Sequence, residues 1–115
     1  MSASQQRKGR AGELELVEVL QAAGIPARAG DPVSYGKTPD VVGVPGVHVE
    51  CKRVERLNID AAMDQAVRDA ARFNDGVPAV FHRKNHCDWL VTMKLSDWMK
   101  VYLEYFSGRF DRAGE

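Results

Sequence analysis

Apolar positions recur at helical spacing in three stretches of the chain and run or alternate in shorter ones between them. Leu16, Val17, Leu20 and Ala23 repeat at three and four, which predicts a helix over 9–23, stopped by Gly24 and Pro26. The polar residues 1–8 ahead of it, ending in Arg7-Lys8, read as a flexible basic arm. Residues 25–29 form a short strand, and the Gly- and Pro-marked stretch 31–39 a loop. Two β-rich runs, 40–44 and 47–54, flank Pro45-Gly46, a hairpin signal. Asn58 or Asp60 can cap a second helix ending near Phe73, whose stripe of Ile59, Ala62, Met63, Ala66, Val67, Ala70 and Phe73 holds helical spacing throughout. Residues 77–82 and 89–93 are two more strands around a turn at 84–87. Ser96 can cap a last helix to about Phe106, with 107–115 as a tail. Helix, three strands, helix, two strands, helix predicts one α/β domain over 9–106, a sandwich around a mixed sheet of about five strands.

Polar residues interrupt this pattern at three places. Glu13 stands three, four and seven residues before Leu16, Val17 and Leu20, on the face meant for the core. It either stays solvated at the positive end of the helix or needs a partner, and a metal ion is one such partner. In Val47-His48-Val49-Glu50-Cys51-Lys52 the alternation sends His48, Glu50 and Lys52 to one side. A strand in the middle of an α/β sheet is covered on both faces, so an acid and a lysine pointing into covered space need a reason. Asp40 follows Pro39 at the start of the preceding strand. A strict two-residue turn at Pro45-Gly46 would pair Val42 with Val49 and put Asp40 on the face opposite Glu50. A bulge at Gly43 or Gly46 would shift the register by one and bring the two acids together.

Composition changes the picture little. At 115 residues, 44% hydrophobic and 28% charged, the chain is an ordinary single globular domain. No apolar run approaches a membrane span or a signal peptide, and two cysteines, Cys51 and Cys87, fit a reducing compartment, which together imply a cytoplasmic protein. Sixteen basic against 16 acidic residues give no net charge, so any basic surface must be assembled by folding.

Gly9-x-x-x-Glu13, Pro39-Asp40 and Glu50-Cys51-Lys52 together resemble the PD-(D/E)XK nuclease superfamily, and within it the Holliday junction resolvase branch, especially the small nucleases of phages and prophages. The Lys8-Gly9-Arg10-x-Gly12-Glu13 opening, Gly24-Ile25-Pro26-x-Arg28 and Gln65 sit where that branch has similar residues. The resemblance spans about residues 7–98. It implies a restriction-endonuclease-like fold and hydrolysis of DNA phosphodiesters with Mg²⁺ or Mn²⁺ in bacterial or phage-infected cytoplasm. Asp40 and Glu50 would hold the metal, with the backbone carbonyl of Cys51 and with Glu13 directly or through water. Lys52 would orient the attacking water or stabilise charge on the phosphate. Gln65 is either a positioning residue at the edge of the site or a solvated helix residue. Substrate contacts would fall to Arg7, Lys8 and Arg10, to Ser34, Tyr35 and Lys37, and to His82 and Arg83. The substrate is expected to be a four-way junction or other branched DNA. Flap or duplex DNA, or a silent DNA-binding or assembly module of the same fold, are the alternatives.

His82, His86, Cys87 and Asp88 crowd one turn, but their spacing matches no closed zinc pattern. Trp89, Trp98, Tyr102, Tyr105 and Phe106 make the C-terminal third aromatic. Most of it is expected in the core, with part of the stripe left for a homodimer surface, since paired cuts in a junction call for two sites.

Overall fold

A computed structural model describes the backbone of residues 3–31 and 38–113, and the side chains of 9–31 and 38–108. Its elements run α1 (Ala3–Ala22), β1 (Arg28–Ala29), β2 (Val41–Val42), β3 (Val47–Arg53), α2 (Ile59–Phe73), β4 (Val77–Arg83), β5 (Leu90–Met93) and α3 (Leu95–Ala113). The five strands form one mixed sheet in the order β1-β2-β3-β4-β5, antiparallel except for the parallel pair β3 and β4. The α/β class, the element order and the five-stranded mixed sheet agree with the sequence pattern.

α1 and α2 cover opposite faces of β3. Leu16 and Val17 of α1 pack with Val41 and Val49, while Ala62 and Ala66 of α2 pack on Val80. α2 has the bounds its pattern predicts. Asn58 caps it by accepting a hydrogen bond from the Ala61 amide at 3.0 Å, and Asn74 closes it in a left-handed conformation (φ 50°).

Both other helices outrun their expected limits. α1 begins at Ala3, so 3–8, read as an arm, continue the helix, and α3 carries on past Phe106 to Ala113. Ala, Gln, Lys and Arg in 3–8 favour extending a helix once one is nucleated, and both extensions run through a glycine, Gly9 or Gly108, with no proline to stop them. Ser96 lies inside the first turn of α3, where the amides of Asp97 and Trp98 reach the Lys94 carbonyl. The aromatic third also departs from expectation. Trp89 packs against the α1-side core, but Trp98, Tyr102, Tyr105 and Phe106 are exposed. Of residues 95–108 only Asp97 is buried. The helix covers neither sheet face, and the molecule measures 55 × 28 × 26 Å.

The β2–β3 hairpin settles the register. Val44 accepts from the Val47 amide at 3.1 Å across Pro45-Gly46, with Gly46 at φ 81°, the signature of a type II turn. Yet the strand pair is Val41 with Val49, one residue out of step with that turn. Gly43, at φ 83°, takes up the extra residue as a bulge. A Cβ there would sit 2.2 Å from the Pro26 carbonyl oxygen, so glycine is required twice over.

Candidate functional site

Extending the Val41–Val49 pairing by one residue sets Asp40 across from Glu50, at the exposed rim of the site, where it meets the Glu13 carboxyl of α1 as well as the charges of Glu50, Lys52 and Asp69. The backbone of Asp40 is held in turn, because its carbonyl accepts from the Gly30 amide at 2.8 Å and the Gly30 carbonyl accepts from Arg10 Nη1 at 3.0 Å. α1 therefore anchors the strand that carries the first acid. The predicted bulge thus lies at Gly43, and it brings Asp40 close enough for Glu50 to act on its charge.

β3 supplies the centre. His48 is 2% exposed and Glu50 6%, so both faces of the strand are covered, as its alternation implied. α2 comes close because its facing residues Ala62, Ala66 and Ala70 are small. The same helix face brings in Gln65, whose Oε1 accepts from Lys52 Nζ at 3.0 Å. Lys52 Nζ also lies 3.7 Å from Glu50 Oε1. Gln65 is therefore a partner of the lysine and not a solvated helix residue.

Crowding of acids shows in their proton affinities. Glu13 is pushed up to about 7, by burial first and then by the Asp40 charge, with Arg10 opposing at 3.6 Å. Asp40 is raised by loss of surrounding water and by Glu50, against the pull of Lys52. Burial alone would lower His48, but the facing Glu50 and Asp75 carboxylates outweigh it and raise the imidazole. The Cys51 thiol points to the α1 side and is pushed up to about 12 by burial and by Glu13, Asp40 and Glu50. It stays a thiol, so only its backbone carbonyl is available as a hard ligand. Carboxylates gathered this closely hold protons, or a divalent cation in their place.

The structure places the remaining candidates less centrally. Arg10 is engaged by Gly30 and Glu13. His82 lies beside Lys52 in the β3–β4 register, its Nε2 is 2.9 Å from Thr92 Oγ1, and burial lowers its pKa. Arg83 donates to Glu15 through Nη1 and to the Cys87 carbonyl through Nε at 2.6 Å. Arg53 Nε approaches the same Glu15 at 3.5 Å. Arg10 and Arg83 thus serve internal ion pairs. Arg7 and Lys8 lie in α1 with side chains outside the described residues, as do Ser34, Tyr35 and Lys37. His86, Cys87 and Asp88 are exposed and do not gather with His82 into a metal cluster among the described residues.

Three residues that sequence reasoning passed over belong to the same place. His48, Glu50 and Asp69 each offer a ligand atom within 4.8 Å of the others, and Asp75 holds His48. His48 shares the strand face of Glu50, and Asp69 lies one helical turn beyond Gln65, but their meeting becomes visible only once α2 lies across β3. Comparison with known proteins found no matching family model, no matching curated protein and no matching solved structure.

Proposed function

We propose that the chain is a metal-dependent DNA endonuclease with a restriction-endonuclease-like fold, hydrolysing phosphodiester bonds of Holliday junctions or other branched DNA. The observation that carries this reading is the register shift that sets Asp40 opposite Glu50, beside a lysine held by Gln65. Asp40, Glu50, the Cys51 carbonyl and Glu13 offer oxygen donors of the kind Mg²⁺ or Mn²⁺ takes. When bound, such an ion acidifies water and offsets charge on the phosphate. Gln65 fixes one hydrogen-bond direction of Lys52, so the ammonium is aimed before substrate arrives. Glu13, with its pKa about 7, can hold or release a proton beside Asp40 at neutral pH. Arg7, Lys8, Ser34, Tyr35 and Lys37 remain the proposed phosphate contacts. With zero net charge, selection falls to the shape of the DNA.

The partner of α3 is proposed to be a second copy of the chain. Eight of its large apolar side chains are 45–67% exposed, on the order of 800 Å² in all, as much as one partner gives to a standard interface. Residues 95–108 carry a single basic residue, Lys100, against Asp97 and Glu104, a poor match to a phosphate backbone. A dimer also supplies two sites for paired cuts.

Incubation with labelled four-way junction, flap and linear duplex DNA, in Mg²⁺ or EDTA, tests the reading beside Asp40→Asn. Junction cleavage in Mg²⁺ alone, lost in Asp40→Asn, is expected. Preference for flap or duplex would move the substrate. No cleavage of any DNA would make the chain a binding or assembly module, and equal cleavage by Asp40→Asn would overturn the site.

A further inference from the structure

His48 is the most buried polar side chain of the site, and half of its ring is accounted for. Nδ1 lies 2.9 Å from both carboxylate oxygens of Asp75. A carboxylate only accepts, so Nδ1 carries a proton and donates to it. Phe73 lies nearly parallel to the ring, with centroids 6.2 Å apart and planes 12° apart, and fixes its plane from one side. Nε2 is buried and has no hydrogen-bond partner. Its nearest carboxylate oxygen, Glu50 Oε2, is 3.6 Å away, beyond hydrogen-bond reach.

An unpaired buried nitrogen is costly, and this one is aimed at two acids. A ligand atom of Asp69 on α2 completes a trio with His48 and Glu50 that fits within 4.8 Å. Metal bonds of about 2.1 Å span ligand atoms up to about 4.2 Å apart, so small rotations of the two carboxylates close the set. The Asp75–His48 contact has the form in which a ligating histidine is usually held, with its other nitrogen donating to a carboxylate.

We infer that His48 Nε2, Glu50 and Asp69 form a second divalent-cation site, with Glu50 shared between it and the Asp40 site. One imidazole and two carboxylates suit a transition-metal ion such as Mn²⁺, Co²⁺ or Zn²⁺ better than Mg²⁺, which prefers oxygen alone and keeps its water. His48 and Asp69 are its own ligands, and Asp75 is a positioning residue. The site stands whether or not the chain cuts DNA.

Calorimetric titration of the metal-free full-length chain with Co²⁺ and with Mg²⁺, without DNA, tests it, together with the visible Co²⁺ spectrum. Co²⁺ should bind at least about tenfold more tightly than Mg²⁺, with absorption bands of a nitrogen-containing site. His48→Gln and Asp69→Asn should each weaken Co²⁺ by more than about tenfold and change the bands, while Asp75→Asn weakens it about tenfold by freeing the ring. Circular dichroism checks that each variant folds. Asp69 lies on a helix surface and is only half-buried, so its variant serves if His48→Gln does not fold. Absence of Co²⁺ binding at millimolar concentration would overturn the site, as would an unchanged spectrum in folded Asp69→Asn. Retained Co²⁺ binding in a chain that cuts no DNA would uphold this site and overturn the nuclease reading alone.

Discussion

The α2-facing side of β3 and the outer helix α3 break the usual partition of residues in opposite directions. On β3, His48 and Glu50 are withdrawn from water at 2% and 6% exposure, with Asp40 and Asp69 close by. On α3, Leu95 and Leu103 stand in water at 67% and 63%, alongside a stacked ladder of Trp98, Tyr102 and Phe106. The alanine face of α2, by contrast, is buried as its pattern requires. Conflict between residue type and surroundings tends to mark places where a folded chain is completed by something outside itself. By the proposals above, that is a cation in the first region and a second protomer in the second.

The comparison breaks most sharply at the acids. Asp40→Asn and Lys52→Ala should each lower junction cleavage in Mg²⁺ by about 10²–10³-fold without loss of far-ultraviolet dichroism. Activity kept within twofold would mean that neither charge takes part in cleavage. At α3, Trp98→Ser with Tyr102→Ser should raise the dimer dissociation constant by at least about a hundredfold, seen as a shift to monomer mass in light scattering at micromolar concentration. A monomeric wild-type chain would remove the second half of the comparison.

Proton binding sharpens it further. Glu13 has a folded pKa of about 7 against an ordinary 4.5, so between these values the folded chain keeps a proton that the unfolded chain has released. Stability of the metal-free protein therefore falls as pH rises through that window and levels off above it. Asp40, also raised, adds to the fall. Urea unfolding in EDTA from pH 4.5 to 8 should show the wild type losing on the order of 3 kcal/mol more than Glu13→Gln. A rise in stability over that range in both proteins would show that Glu13 is well solvated. Gln65→Ala should cost about tenfold in cleavage while calorimetric metal affinity stays the same, because it touches Lys52 and no ligand. The smallest effect is expected at Asn58→Ala, about 1 kcal/mol in the same denaturation, from the lost cap.

How much was legible beforehand follows the range of the forces involved. α2 could be read to its last residue because its cap, its stripe and its terminating Asn74 are all local. The ends of α1 and α3 could not, since Gly9 and Gly108, which weaken a helix without ending it, lie where the expected bounds fell. β1 and β2 shrink to two residues each, β2 because the Gly43 bulge interrupts its pairing with β3. Asp40, Glu50, Lys52, Gln65 and Glu13 could be named from motif and face. His48, Asp69 and Asp75 escaped notice because their relation is tertiary: it exists only once α2 lies across β3. The aromatic helix was misjudged for the same reason, as spacing tells which residues share a face but not whether anything covers it.

Val41 and Val42 are the same residue, and either could fill the space beside Val49. The apolar pattern is therefore degenerate between two hairpin phases, and burial energy would hardly choose between them. The tie is broken by Gly43, which touches neither the acids nor the lysine. In one phase Asp40 meets Glu50; in the other, an equally hydrophobic core would come with the acids on opposite sides of the sheet. A chain bearing every site residue in its proper order could thus fold and remain inert, with the difference residing in a single backbone angle.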